Sequence, residues 1–412
     1  MHKIVSPASV NVTGEERKSN SAGRKERTAS VAGRIRLLYL IPSLQMGGAE
    51  IQLLSLVKGL DKSRFDPTVA VLYDKGELKD EYRAIPQVRI VFLGKKSIFD
   101  FTFLPRLGKL VRRYGFDIVC PYNVSARFFG FLAAKLYGIK YTVMAERNSR
   151  AVYSSMGSRV YHALERLILP YATVVVSNSK AGRQFAISRG VRPEKVRVIL
   201  NGIDDSRLQV EKSRQEIRKE WGISTDNYVV GMVARMFPQK DHATFLRAAK
   251  IVVGQLKEVR FLLVGDGPIF GRVRQMAQEL GLSQHVVFTG AQSKAADFIR
   301  AMDVIVLTSK TAEGHSNALI EAGMLGIPII ATNVPGNDEL VENNATGLLV
   351  QPQNPVELAE KIMLMSHPRQ RQQMGAKAER IFERRFSRQR MVESYQEIYE
   401  KLIEVGSLHG HC

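Results

Sequence analysis

The stretch from Asp303 to Thr332 constrains the fold of this chain more than any other. Val304-Ile-Val-Leu307 is a short apolar run, β-branched at its first three positions, of the kind that becomes a buried strand. A loop with Glu313 and Gly314 follows, and Ser316 or Asn317 suits the N-cap of a helix over Ala318 to Leu325 that Gly326 and Pro328 end. Ile329 to Ala331 is the next strand. A strand, a helix and a strand in so short a span make a βαβ unit.

The same alternation runs through most of the chain. Strands are expected at Arg34–Pro42, Pro67–Tyr73, Val88–Leu93, Asp117–Cys120, Tyr141–Ala145, Val174–Ser177, Phe261–Val264 and Val286–Gly290, with helices near Glu50, over Phe103–Tyr114 and over Ala126–Tyr137. Strands alternating with helices imply parallel sheets covered on both faces, an α/β class. The polar stretch Asp205–Asn227 reads as linker plus a short helix. Four segments follow: 1–33 as a disordered basic tail, 34–205 and 206–386 as two α/β domains, and 387–412 as a final helix with a short tail.

At 412 residues, 45% hydrophobic and 24% charged, the chain is long enough for two cores. Two cysteines, Cys120 and Cys412, offer neither a disulfide framework nor metal-ligand spacing, which fits a reducing, cytoplasmic setting. No run approaches the roughly 18 residues that read as a membrane span, and the N-terminus lacks the apolar stretch of a signal peptide. The formal charge of +20 favours an anionic partner: nucleic acid, acidic lipid or a phosphorylated substrate. One segment, Lys95–Tyr114, interleaves aromatic with basic residues and suits either an anionic membrane surface or a helix with a solvated basic face.

Several residues point to a phosphate-bearing ligand. The backbone amides around Ser316, Asn317 and Ala318 lack intrahelical partners at the positive end of a helix dipole and can hold a phosphate. Glu313 and Glu321, on either side of that helix start, can accept hydrogen bonds from sugar hydroxyls. Together they describe a nucleotide-sugar site, although an ordinary βαβ unit with two solvated glutamates has the same spacing. Gly47 and Gly48 let backbone approach a ligand at the first strand-to-helix turn. Arg235, at a strand end, and Lys240, at a helix start, put two cations over a phosphate site. The turn Gly265-Asp-Gly267 is not a dinucleotide fingerprint, because residue 270 is phenylalanine.

The pattern Glu313-Gly-x5-Leu-x-Glu321-Ala, then Gly326-x-Pro328, Thr332, Pro335-Gly336, Glu339 and Thr346-Gly-Leu-Leu-Val350, resembles the donor-site signature of retaining GT-B glycosyltransferases of family 4. The resemblance covers residues 34 to about 405. It implies two doubly wound Rossmann-like domains facing across a cleft, with the last helix returning to the first domain. It also implies sugar transfer from a nucleotide diphosphate sugar to a hydroxyl, with retention of configuration. In that family the first glutamate faces the donor sugar and the second the ribose. The Gly-Gly-Ala-Glu turn closes on the diphosphate, and the Arg and Lys pair neutralises it. Many relatives carry a histidine where this chain has Glu146-Arg147-Asn148, so these three are expected only as acceptor-side residues.

No Asp-x-Asp motif is present to hold a divalent cation, so neither a metal nor another cofactor is expected. The expected acceptor is a glycan or a lipid-linked sugar of cell-envelope or exopolysaccharide synthesis, met in the cytoplasm or at the cytoplasmic membrane face. Two rivals stand beside this reading. A sugar-nucleotide epimerase shares the fold but needs acid and base residues that have no place here. A basic nucleic-acid-binding protein explains the charge but needs a concentrated basic element, whereas these charges are spread along the chain.

Overall fold

The computed structural model describes residues 33–147 and 156–408. Nearly all of the expected tail, and Asn148, lie outside the described residues. The first half runs β1 (Ile35–Ile41), α1 (Gly48–Gly59), β2 (Phe65–Val71), α2 (Lys79–Arg83), β3 (Arg89–Phe92), α3 (Leu104–Tyr114), β4 (Ile118–Pro121), α4 (Val124–Tyr137), β5 (Tyr141–Glu146), α5 (Met156–Ile168), β6 (Val174–Ser177), α6 (Lys180–Ser188) and β7 (Val196–Val198). The second runs α7 (Arg214–Glu220), β8 (Tyr228–Val233), α8 (His242–Val253), β9 (Val259–Val264), α9 (Phe270–Glu279), β10 (Val286–Gly290), α10 (Ala295–Ala301), β11 (Val304–Leu307), α11 (Asn317–Met324), β12 (Ile329–Thr332), α12 (Asn337–Leu340), β13 (Gly347–Val350), α13 (Pro355–Leu364), α14 (Pro368–Arg385) and α15 (Arg388–Leu408).

The strands form two sheets, ordered β3-β2-β1-β4-β5-β6-β7 and β10-β9-β8-β11-β12-β13. Every strand pair described is parallel, as crossover helices require. Central strands are buried on both faces, and Leu37 to Ile41 of β1 are fully enclosed between β2 and β4. In each sheet the strand order reverses once, between β1 and β4 and between β8 and β11. The crevice beyond the carboxyl ends of strands at such a reversal is where open α/β sheets bind ligands. The two reversals therefore mark the place for a site before any side chain is considered.

Two passages of chain join the halves, and they touch. Ile203 N donates to Phe386 O at 2.9 Å, and Arg388 pairs with Asp204 at 2.7 Å. Beyond this crossing α15 buries Met391, Val392, Tyr395 and Tyr399 in the first half's core, against α1 and β1. The helix expected near Glu50 begins two residues earlier, at Gly48, because Gly47 takes the extended N-cap conformation (φ −146°, ψ 162°).

Candidate active site at two facing helix N-termini

A cavity of about 1360 Å3 lies between the sheets, and its lining comes from the carboxyl ends of strands in both. Gly47, Gly48 and Glu50 follow β1, and Asn123 follows β4. Arg235 and Lys240 follow β8, while Glu313, Ser316 and Asn317 follow β11. These are the four strands at the two reversals of strand order.

Two helices start in this cavity without a side-chain cap. Gly47 has no side chain to cap α1, and Ser316 caps α11 with its backbone alone. Their first-turn amides thus keep donors for a ligand. The two helix starts also meet each other: Asn317 Oδ1 accepts from Gln52 Nε2 at 3.1 Å, and Asn317 Nδ2 donates to Gly48 O at 3.4 Å. Ala318, expected with Ser316 and Asn317 at the phosphate, sits in the first turn of α11, half-buried.

The cations are held differently. Arg235 is exposed, with its guanidinium stacked 4.5 Å from the Phe237 ring centroid. Lys240 Nζ donates to Glu313 Oε2 at 2.9 Å, and the other Glu313 oxygen accepts from Ser309 Oγ at 2.8 Å. The proposed phosphate cation and the proposed sugar carboxylate thus hold one another. Glu313 is placed by backbone: its N–H donates to Pro335 O at 2.9 Å, and a Cβ on Gly336 would lie 2.2 Å from Glu313 O. Only glycine fits at 336, which also has φ +99°.

Glu321 stands apart from the other proposed donor-site residues. It is buried one turn into α11, accepts from Arg207 Nε at 2.8 Å, and is not among the residues lining the cavity. Burial raises its carboxyl above the ordinary range, and Arg207 opposes that only in part.

Among the acceptor-side residues the structure overturns Glu146. It is fully buried, accepts from Arg127 Nη1 at 2.9 Å and lies 3.7 Å from Arg189 Nη1. Arg127, Arg189 and the buried Glu165 complete a charge cluster under β5, because a buried carboxylate needs compensating cations. His162 stands 3.4 Å from Glu165 in the same cluster. Arg147 points the other way and lines the cavity, donating to Asn201 Oδ1 (2.9 Å) and to the hydroxyls of Tyr122 (3.3 Å) and Tyr395 (3.1 Å).

Three lining asparagines had no role assigned from sequence. Asn201 is a hub whose Oδ1 accepts from Arg147 and Asn178, while its Nδ2 donates to His315 O at 3.1 Å and Asn317 Oδ1 at 2.9 Å. Asn178 packs against Gly314, where a Cβ would lie 2.5 Å from Arg147 O. Asn123 holds a positive φ of 68°, the strained backbone that clusters at functional sites, and donates to Glu50 Oε1 at 3.1 Å. Burial pushes the Glu50 carboxyl above its ordinary range, while Asn123 and Arg235 pull it back. No local pattern marks the three asparagines; a polar side chain just past a buried strand was the available signal.

Residues 46–207 match Glycosyltransferase Family 4, and residues 213–381 match Glycosyl transferases group 1. The chain belongs to the family 4, group 1 glycosyltransferases. Among curated relatives of this enzyme is the Escherichia coli UDP-Gal:alpha-D-GlcNAc-diphosphoundecaprenol alpha-1,3-galactosyltransferase, 28% identical over 261 residues, which are 62% of this chain and 67% of that one. The putative glycosyltransferase EpsF of Bacillus subtilis (strain 168) is 28% identical over 330 residues, 76% of this chain and 82% of its own. Among solved structures, Anabaena Alr3699/HepE in complex with UDP and glucose superposes with a TM-score of 0.77 at 25% identity, covering 89% of this chain and all of that one. The architecture of this glycosyltransferase is GT-B.

Proposed function

We propose that the enzyme moves a sugar from a UDP-sugar to an acceptor hydroxyl, with retention of anomeric configuration. The observation that carries this reading is the convergence of two uncapped helix starts, Arg235 and Lys240 on one cavity. Negative charge grows on the diphosphate as it leaves, and preorganised cations and amide dipoles at that position lower the barrier. Arg235, Lys240 and the amides near Gly48 and Asn317 supply them. With that charge provided by the protein, the transfer needs no divalent metal, so activity should survive chelation by EDTA.

Glu313 takes the hydroxyls of the transferred sugar in this reading, and Glu321 the ribose, once Arg207 yields. Uridine as the base is supported by the UDP bound to Anabaena HepE and by the UDP-Gal in the name of the E. coli relative. That relative's diphosphoundecaprenol acceptor supports a lipid-linked or glycan acceptor, in cell-envelope or exopolysaccharide synthesis at the cytoplasmic face of a membrane. Arg147 lies on the acceptor side.

A thermal-shift screen against UDP-, GDP-, ADP- and CMP-sugars tests the donor, because a ligand that binds only the native state raises the melting temperature. UDP-sugars should give the largest rise; a larger rise with another base removes the uridine assignment. The anomeric coupling in the proton NMR spectrum of the product decides retention.

A further inference from the structure

Helices α3, α4 and α5 lie side by side on one face of the first sheet. Gly108 of α3 meets Tyr137 of α4, whose hydroxyl a Cβ would approach within 2.5 Å, and Phe128 and Phe129 of α4 pack 6.1 and 5.8 Å from the Tyr161 ring of α5. Their outer surface has an unusual composition. Of the ten large apolar side chains that stand exposed among the described residues, six are here: Phe99, Phe101, Leu136, Val160, Leu167 and Tyr171. On α5 and just beyond it Val160, Ala163, Leu167 and Tyr171 follow one another at spacings of three and four, a stripe that would face a core in an ordinary amphipathic helix. Here it faces outward.

The charges on this face have one sign. Lys109, Arg112, Arg113, Lys135, Arg159 and Arg166 are exposed. The three helices contain a single carboxylate, Glu165, and it is fully buried in the charge cluster below.

The loop before α3 is built to project its aromatic residues. Lys95, expected as a surface cation, is buried: its Nζ donates to Ile98 O at 3.0 Å and Asp100 O at 2.5 Å and lies 4.9 Å from the Phe129 ring centroid. It serves as an internal tie because these carbonyls and ring faces compensate its charge. Asp100 adds a second tie, accepting from the Lys96 and Thr102 amides at 2.7 and 2.8 Å. Between the ties Phe99 is 70% and Phe101 48% exposed.

We propose that the α3–α4–α5 face, with the loop before α3, docks on the surface of an anionic bilayer. Exposed aromatic and aliphatic residues suit the acyl boundary, and a basic surround without exposed carboxylates on its helices suits acidic headgroups. The surface reaches the active-site cavity at Arg159, which both stands on α5 and lines the cavity. Docking therefore sets the acceptor side of the cavity beside the membrane; this deepens the lipid-linked acceptor reading and rests on it for its purpose, while bilayer binding is measured without any donor.

The test is flotation of the full chain with vesicles of phosphatidylcholine alone and with phosphatidylglycerol added in about a 7:3 ratio. Binding should need the anionic lipid and weaken with salt. Reversing three charges together, Lys109→Glu, Arg112→Glu and Lys135→Glu, should lower partition about a hundredfold. The triple Phe99→Ser, Leu167→Ser, Tyr171→Ser should also lose binding. The same reversal on α14 (Arg369→Glu, Lys377→Glu, Arg380→Glu) should not. A retained UDP-sugar thermal shift shows that each variant is folded and separates failure of docking from failure of the donor reading. Equal binding to both vesicles, or equal loss from the α14 variant, overturns the proposal. So does an apolar triple that turns a dimer into a monomer without changing flotation, which would make this face a contact between copies of the chain.

Discussion

Lys240 Nζ lies 2.9 Å from Glu313 Oε2, so the two residues proposed to touch opposite parts of the donor neutralise each other. A diphosphate approaching Lys240 competes with that carboxylate. Glu313→Gln removes the competing charge and keeps a hydrogen-bonding side chain. It should therefore leave UDP affinity unchanged or tighter by calorimetry while sugar transfer falls by at least tenfold in single-turnover assays. Weaker UDP binding in this variant contradicts the assignment.

Arg235 has a stacking partner in Phe237 and stands exposed at the cavity. Arg235→Ala and Lys240→Ala should each cost about 2 to 4 kcal/mol of transition-state stabilisation, by analogy with the loss of one oxyanion donor. The ratio of kcat/KM between wild type and variant reads this directly. Unchanged turnover in both variants sinks the role.

Glu321 is buried against Arg207. Glu321→Gln keeps an oxygen for Arg207 and removes the negative charge, so the fold should persist while affinity for UDP and for UDP-sugar falls in parallel. Loss of sugar transfer with full UDP affinity would place Glu321 away from the ribose.

Asn201 ties the first half to the loop before α11 through both ends of its amide. Asn201→Ala should destabilise the chain by about 1 to 3 kcal/mol, since buried groups lose their partners. Asn201→Asp keeps the acceptor for Arg147 but turns an oxygen toward His315 O and Asn317 Oδ1. It should weaken UDP binding at least as much as the alanine variant in the same calorimetric assay.

His242, at the start of α8 beside Lys240, is buried, and burial followed by the nearby Lys240 charge pulls it down to about 4. Unfolded, it titrates near its ordinary value of 6.5. Between these values the unfolded chain binds more protons, so stability from this residue is complete above pH 6.5 and is lost as pH falls toward 4. The full effect is on the order of 3 kcal/mol. Denaturant midpoints measured from pH 7.5 to 4.5 should show a smaller slope for His242→Gln; an identical slope contradicts it.

Much of the fold was legible because it depends on local periodicity. Apolar runs such as Val304–Leu307 and Leu37–Ile41 became the central strands, and glycines at 47, 314 and 336 marked turns where backbone is crowded or a helix starts uncapped. Motif spacing likewise located Arg235, Lys240 and Glu313 at one cavity, because each lies in the loop that leaves a strand whose end faces it.

What lay beyond the sequence was the choice of partner. Glu146 and Arg147 are neighbours on the same strand end, yet one turns into a buried cluster with Arg127 and Glu165 and the other into the cavity. Strand alternation sends adjacent side chains to opposite faces, but which face meets a cation and which meets a cleft depends on the helices packed there. Lys95 has the composition of a surface residue and is buried because four aromatic rings and two carbonyls surround its ammonium. Asn201 and Asn317 are 116 residues apart and have no local signature of their contact. The sequence alone determined which stretches become the central strands and the helices between them, since backbone propensity and hydrophobic period act over a few residues. Only the tertiary structure decided which charges are buried together, which face the cavity and which cover an outer surface, because those energies depend on neighbours that the chain brings together from far along its length.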